Sequence, residues 1–140
     1  MRTLEAVKRA GISPSSGFIA RMGESDEQLV SLAFAIRDLD TDSIPVNFLH
    51  PVDGTPLAGR EELDPRRCLR ILALLRLACP SKEIRIAGGR ERNLRSLQPL
   101  ALYPANAIFV GDYLTTPGQR AEDDWQMLAD LGFEIEECAL

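Results

Sequence analysis

Chemistry in this chain would have to come from its cysteine thiols, from single polar groups set among apolar neighbours, or from carboxylates gathered before a helix. The three cysteines, Cys68, Cys79 and Cys138, are odd in number and far apart. None belongs to a C-x-x-C or C-x-x-x-C-x-x-C group, so neither a zinc site nor a disulfide framework is indicated, and isolated reduced thiols are expected. The lone His50 fits no ligand spacing. Asn47 sits in Ser43-Ile44-Pro45-Val46-Asn47-Phe48-Leu49. A carboxamide amid apolar strand residues offers a donor and an acceptor, which a polar ligand or a structural hydrogen bond would satisfy. Arg85 lies in Glu83-Ile84-Arg85-Ile86-Ala87. A guanidinium pointing inward from a strand needs an anionic partner; the alternatives are that it reaches the rim or pairs with a carboxylate. Glu122, Asp123 and Asp124 suit a helix start, where the dipole favours negative charge. Thr115-Thr116-Pro117-Gly118 reads as a turn, with a phosphate nest as the alternative.

The elements that must hold these residues alternate. Leu4 and Val7 share a helix face, and Gly11 suits the left-handed position after a helix end. Ile12 to Ala20 is small and apolar, as for a buried strand. Ser25-Asp26-Glu27-Gln28 is a capping box, and Leu29, Ala33 and Ile36 continue it as an amphipathic helix to about Leu39. The strand from Ser43 follows. His50 to Leu63, with Pro51, Gly54, Pro56 and Gly59, reads as a loop. Asp64-Pro65 starts a helix that runs through Leu77 and stops at Pro80. Glu83–Ala87 is a strand ending in Gly88-Gly89. Arg92 to Tyr103 reads as helical, with a kink expected at Pro99. Ala107 to Val110 is a fourth strand. A last helix is expected to bury Trp125, Leu128 and Leu131 and to end at Gly132.

The order α-β-α-β-α-β-α-β-α implies parallel strands with right-handed crossovers. Strand starts about 30 residues apart match one unit of an eight-fold barrel. Two α/β architectures fit: an open four-stranded sheet covered on both faces, or a (β/α)4 half of a (β/α)8 TIM-type barrel preceded by one helix. A length of 140 residues suits a single domain, 1–140, and 45% apolar with 26% charged residues suits a folded chain. The net charge of −5, with no basic run interleaved with aromatics, argues against nucleic acid. No apolar run approaches the length of a membrane span, and the first residues lack an export signal, so a cytoplasmic location is expected.

Four blocks, "GISPSSGFIARMGE", "DSIPVNFLHPVDGTPL", "EIRIAGGRE" and "ANAIFVGDYLTTPG", stand in an order and spacing that resemble the C-terminal half of the biotin synthase family, the region of the biotin and thiamin synthesis associated domain. The resemblance runs from Leu4 to about Phe133. It implies a radical S-adenosylmethionine enzyme on a (β/α)8 barrel, a sulfurtransferase that inserts sulfur into dethiobiotin in biotin biosynthesis. The family carries a 4Fe-4S cluster on a C-x-x-x-C-x-x-C motif and a second cluster, 2Fe-2S in the common type. The strands here would be the fifth to eighth, and the half with the radical-generating cluster would lie outside this sequence.

The resemblance also implies roles. Arg85 matches an arginine ligand of the 2Fe-2S cluster, and Asn47 matches a residue lining the dethiobiotin and S-adenosylmethionine pocket. Gly17 and Ile19 match an element beside S-adenosylmethionine, although Phe18 is bulky and Ala20 replaces a glycine where the ligand would approach the backbone. Glu24 matches a family glutamate, and equally opens the next helix. Ser15 stands where the family has a cysteine ligand; a serine hydroxyl is a poor donor to soft iron, so that ligand is lost. The 140 residues alone are therefore expected to show no turnover. Three readings follow: part of an enzyme completed by an N-terminal half-barrel, a non-catalytic half-barrel that binds or oligomerises, or a small α/β module with an unrelated ligand. A half-barrel leaves sheet edges and an inner face uncovered, with Ile19, Val46, Phe48, Ile86 or Val110 exposed. The expected partner is the missing half or a second copy in a homodimer.

Overall fold

The computed structural model describes residues 2–60, 63–114 and 116–136. Cys138 and Thr115 lie outside the described residues. The chain divides into two compact units, Met1–Phe109 and Val110–Leu140.

The first unit opens with α1 (Arg2–Arg9), whose exit turns through Gly11 at φ +71°. β1 (Phe18–Ala20) follows. α2 (Asp26–Leu39) then starts on the expected capping box: Ser25 N donates to Gln28 Oε1 at 2.8 Å and Gln28 N to Ser25 Oγ at 3.3 Å. β2 (Ser43–Phe48) is followed in the chain by α3 (Pro65–Ala78), capped by Asp64. β3 (Glu83–Ile86) is followed by α4 (Arg90–Leu94), a 3₁₀ turn (Arg95–Leu97), α5 (Gln98–Ala101) and β4 (Ala107–Ile108).

All strands are parallel and lie in the order β1-β2-β3-β4. Sequential order with right-handed crossovers winds every connection onto the same face. The burial pattern agrees. Ile44, Val46 and Phe48 of β2 and Ile84 and Ile86 of β3 are at most 1% exposed. They meet Leu29, Ala33 and Ile36 of α2 and Cys68, Ile71, Leu72 and Leu75 of α3 in one core. Alternate residues, Ser43, Pro45, Asn47, Glu83 and Arg85, are half-exposed on the other side. Among the described residues of this unit the helices thus cover the sheet on one face, the arrangement of a half (β/α)4 barrel rather than a doubly covered open sheet.

Several expectations are corrected. Only Phe18–Ala20 of the Ile12–Ala20 run is strand, with an isolated bridge from Ser15 to Ser43, and Ile12 is exposed. Val46, Phe48 and Ile86 belong to the covered core, so of the residues expected on the inner face Ile19 is exposed, while Val110 is half-buried. The helix expected from Arg92 to Tyr103 breaks at Arg95, φ +52°, four residues before Pro99. The proline ring collides with the carbonyl at that position and removes the hydrogen bond that would span it.

The second unit carries α6 (Ala121–Asp130), with Glu122, Asp123 and Asp124 in its first turn, and ends through Gly132 at φ +70°. The expected buried face is not the observed one: Trp125 is exposed, Leu128 and Leu131 are half-buried, and Asp124 is fully buried, accepting from Gln119 Nε2 at 2.9 Å.

Candidate binding face on the open side of the sheet

In a parallel sheet, residues in register share a face and alternate residues return to it. The register pairs Ser15 with Ser43, Ser43 with Glu83, Pro45 with Arg85, Arg85 with Ala107, and Ile19 with Asn47. Ser15, Ile19, Asn47 and Arg85 therefore look out from this face, and Gly17 shares their register. Glu24 stands apart, in the turn after β1.

Asn47 is oriented from one end only. Its Oδ1 accepts from the Gly88 N–H at 3.0 Å, while among the described residues no group accepts from its Nδ2. The amide is held by the turn after β3 and presents its two donors to the open side. That turn comes close because it lacks side chains. A Cβ on Gly88 would stand 3.1 Å from Asn47 Oδ1, and one on Gly89, at φ +76°, 2.0 Å from Phe48 O.

Arg85 has found the carboxylate partner that one reading of the sequence required. Its Nη2 lies 2.5 Å from Glu83 Oε1, the oxygen that also accepts from Ser43 Oγ at 2.6 Å. The guanidinium carbon sits 5.5 Å from the centre of the Phe109 ring, a cation–π arrangement. Ser43, Glu83 and Phe109 were not singled out from the sequence. The period-2 alternation of Glu83 with Arg85 was the signal that put both on one face.

Gly17 packs against backbone rather than an open space: a Cβ there would lie 1.8 Å from Pro45 O. Glu24 accepts from the Arg21 N–H at 2.6 Å and the Gly23 N–H at 3.0 Å. Partial burial pushes its carboxyl up, but the backbone N–H groups of Arg21, Glu24, Met22 and Gly23 together outweigh this and hold it below its usual range. Glu24 thus closes the turn in which Arg21 takes φ +78°.

These donors do not make an iron–sulfur site by themselves. Ser15 offers a hydroxyl, Arg85 is engaged by Glu83, and among the described residues no three His, Cys, Asp or Glu side chains converge. Cys68 and Cys79 are free thiols buried on and just after α3, in the helix-covered layer. Burial pushes Cys68 up to about 12 and also raises Cys79. His50 Nε2 lies 3.1 Å from Arg92 Nη1. No helix among the described residues is long and apolar enough to cross a membrane.

Comparison with known proteins bears on the same residues. The biotin and thiamin synthesis associated domain matches residues 45–134, which include most of β2 and all of β3, β4 and α6. The biotin synthase of Geobacillus thermodenitrificans is 65% identical over 136 residues, 97% of this chain and 41% of that protein. The biotin synthase of Bacillus cytotoxicus is 64% identical over 138 residues, 99% of this chain and 42% of that protein. That of Bacillus pumilus is 59% identical over 140 residues, all of this chain and 42% of that protein. The chain spans about two fifths of the length of these relatives. By the match over residues 45–134 and these identities, the chain belongs to the biotin and thiamin synthesis associated domain family.

Proposed function

We propose that the chain supplies the substrate-holding half of a biotin synthase barrel, acting in sulfur insertion into dethiobiotin once an N-terminal half-barrel with the C-x-x-x-C-x-x-C motif completes it. The observation that carries this reading is the shared open face of Asn47 and Arg85 beside Ile19. It is a row of polar groups from adjacent strands on the side opposite the helices α2 and α3. In this reading Asn47 donates through Nδ2 to a polar group of the substrate. Ile19 supplies apolar contact beside S-adenosylmethionine, Gly17 lets the chain before β1 lie close against Pro45, and Glu24 shapes the turn after β1 on which that ligand rests. Arg85 occupies the position of the family's 2Fe-2S ligand with its charge balanced by Glu83. Serine at position 15 offers that cluster a hydroxyl where the family has a thiolate. The 4Fe-4S cluster and its chemistry belong to the completing half.

The experiment mixes the chain with the remaining three fifths of the Geobacillus thermodenitrificans biotin synthase under anaerobic conditions with iron, sulfide and reductant. S-adenosylmethionine and dethiobiotin are then added. 5′-Deoxyadenosine is expected from the mixture with this chain, above the level from the other half alone, and none is expected from this chain alone. No complex and no gain in cleavage would refute the reading.

A second reading is favoured by Ser15 specifically: a half-barrel that binds ligand, or pairs with a second copy, without turnover. It predicts dethiobiotin binding in the mixture without biotin formation, and biotin formation appearing with Ser15→Cys, which restores a thiolate donor at the family position.

A further inference from the structure

The fully buried Asn93 has no part in the assignments above. Its side chain is 0% exposed and joins three segments at the ends of β2 and β3. Nδ2 donates to Gly89 O at 2.8 Å and to Leu49 O at 3.3 Å, and Oδ1 accepts from the Leu63 N–H at 2.9 Å. Leu49 and Leu63 stand at the two ends of the long connection between β2 and α3. Gly89 is the second residue of the turn whose first residue, Gly88, holds Asn47.

Two adjacent glycines let this turn approach β2 as closely as it does, and the same absence of side chains leaves it free to move. The backbone contributes constraints of its own: Phe48 N donates to Gly88 O at 2.8 Å, Ala87 N to Val46 O at 2.9 Å and Asn93 N to Gly89 O at 3.1 Å. The Asn93 side chain adds the tie from this turn to the residues that follow β2. By gripping Gly89 O and Leu49 O with a single amide group, it fixes the turn against the residue two beyond Asn47. A carboxamide suits the position because it is neutral and carries donors and an acceptor on one planar group. An aspartate would set a charge in a buried site and face two carbonyl oxygens with no donor.

We propose that Asn93 is a positioning residue for Asn47. It holds the Gly88-Gly89 turn so that the Gly88 N–H keeps the Asn47 carboxamide turned with its donors to the open face. The significance for ligand binding rests on the function proposed above; the geometry does not.

The test uses the 15N-labelled full chain. In the parent the Gly88 amide is expected to be protected from hydrogen exchange and the Asn47 side-chain amide to give a single sharp pair of resonances. In Asn93→Ala, Gly88 protection is expected to fall at least tenfold relative to the Ile44 and Ile84 amides, and the Asn47 pair to broaden or shift. Asn93→Ser, which retains one hydroxyl, serves if the alanine variant does not fold, with a smaller shift in the same direction. Gly88 protection that falls only in step with Ile44 and Ile84, or Asn47 resonances unchanged in both variants, would overturn the proposal. Dethiobiotin affinity in the completed barrel is read separately. If the parent binds, at least tenfold weaker binding is expected in the Asn93 variants, and unchanged affinity would count against the role in binding. If the parent does not bind, the functional reading fails while the exchange result still decides the positioning.

Discussion

At the scale of single residues, Gly17 and Cys68 show opposite demands on space. Gly17 lies on the face expected to meet a ligand, yet what needs its missing side chain is Pro45 O, which a Cβ would meet at 1.8 Å. Gly17→Ala is expected to force β1 away from β2 and cost about 1–3 kcal/mol, the range for overpacking a fixed contact. Urea unfolding measures it, and a change below experimental error would show that β1 yields freely. Cys68 is sealed in the helix layer, and desolvation is the main reason its thiol is pushed up to about 12. A group whose folded value is raised stabilises fully below its unfolded value, near 9 for a thiol, and that contribution is lost as pH rises from there toward 12. Cys68→Ala should therefore be less stable than the parent at pH 8, and the gap should narrow by pH 10.5. The thiol should react with a disulfide reagent only as fast as the chain opens. A constant gap across that range, or prompt labelling of Cys68 in the folded chain, would contradict the burial.

Among elements, the ends of helices and strands decide where the site residues stand. α3 is fixed at its far end by Arg76. Its guanidinium donates to Pro104 O at 2.8 Å, Pro80 O and Lys82 O at 2.9 Å, and Asn106 Oδ1 at 2.8 Å. Pro80 and Lys82 lie just before β3, and Pro104 and Asn106 just before β4, so the clamp sets the entry of both strands. Arg76→Lys keeps the charge but not the planar fork, and is expected to cost about 2–4 kcal/mol, since hydrogen bonds from charged donors contribute roughly 1.5–3 kcal/mol each. Chemical denaturation checks this; a loss under 0.5 kcal/mol would mean the contacts are redundant. The caps were legible in sequence because capping is local: Ser25 with Gln28 and Asp64 with Pro65 announce their helices within four residues. The alternation of Asn47 and of Arg85 with apolar neighbours likewise placed both on one face. What stayed hidden is non-local. An apolar run does not reveal how much of Ile12–Ala20 finds a hydrogen-bonding partner. Gly17 does not name Pro45, and Arg85 had several carboxylates to choose from. Pro99 marked a disturbance, but the break falls at Arg95, where its ring acts.

At the scale of the molecule, the unit carrying the sheet has a covered face, an open face and two strands, β1 and β4, that pair on one side only among the described residues. The open face shows apolar surface, with Ile19 and Phe109 each 46% exposed, beside the half-exposed Asn47 and Arg85. Such edges and surface favour association. A completing half-barrel would pair with β1 and β4 together, because closing a barrel removes both edges at once. A second copy using one edge would protect one strand and leave the other. Hydrogen exchange of the chain alone and mixed with the remainder of a biotin synthase relative separates these outcomes. In the mixture the outward amides of β1 and β4 should both slow by about tenfold or more, those of β2 and β3 should change little, and binding of an apolar dye should fall. Protection confined to one edge and growing with concentration of the chain alone would point to self-pairing. Both edges already slow in the dilute chain, with no dye bound, would mean that the open face is closed from within and that no companion segment is needed to complete it.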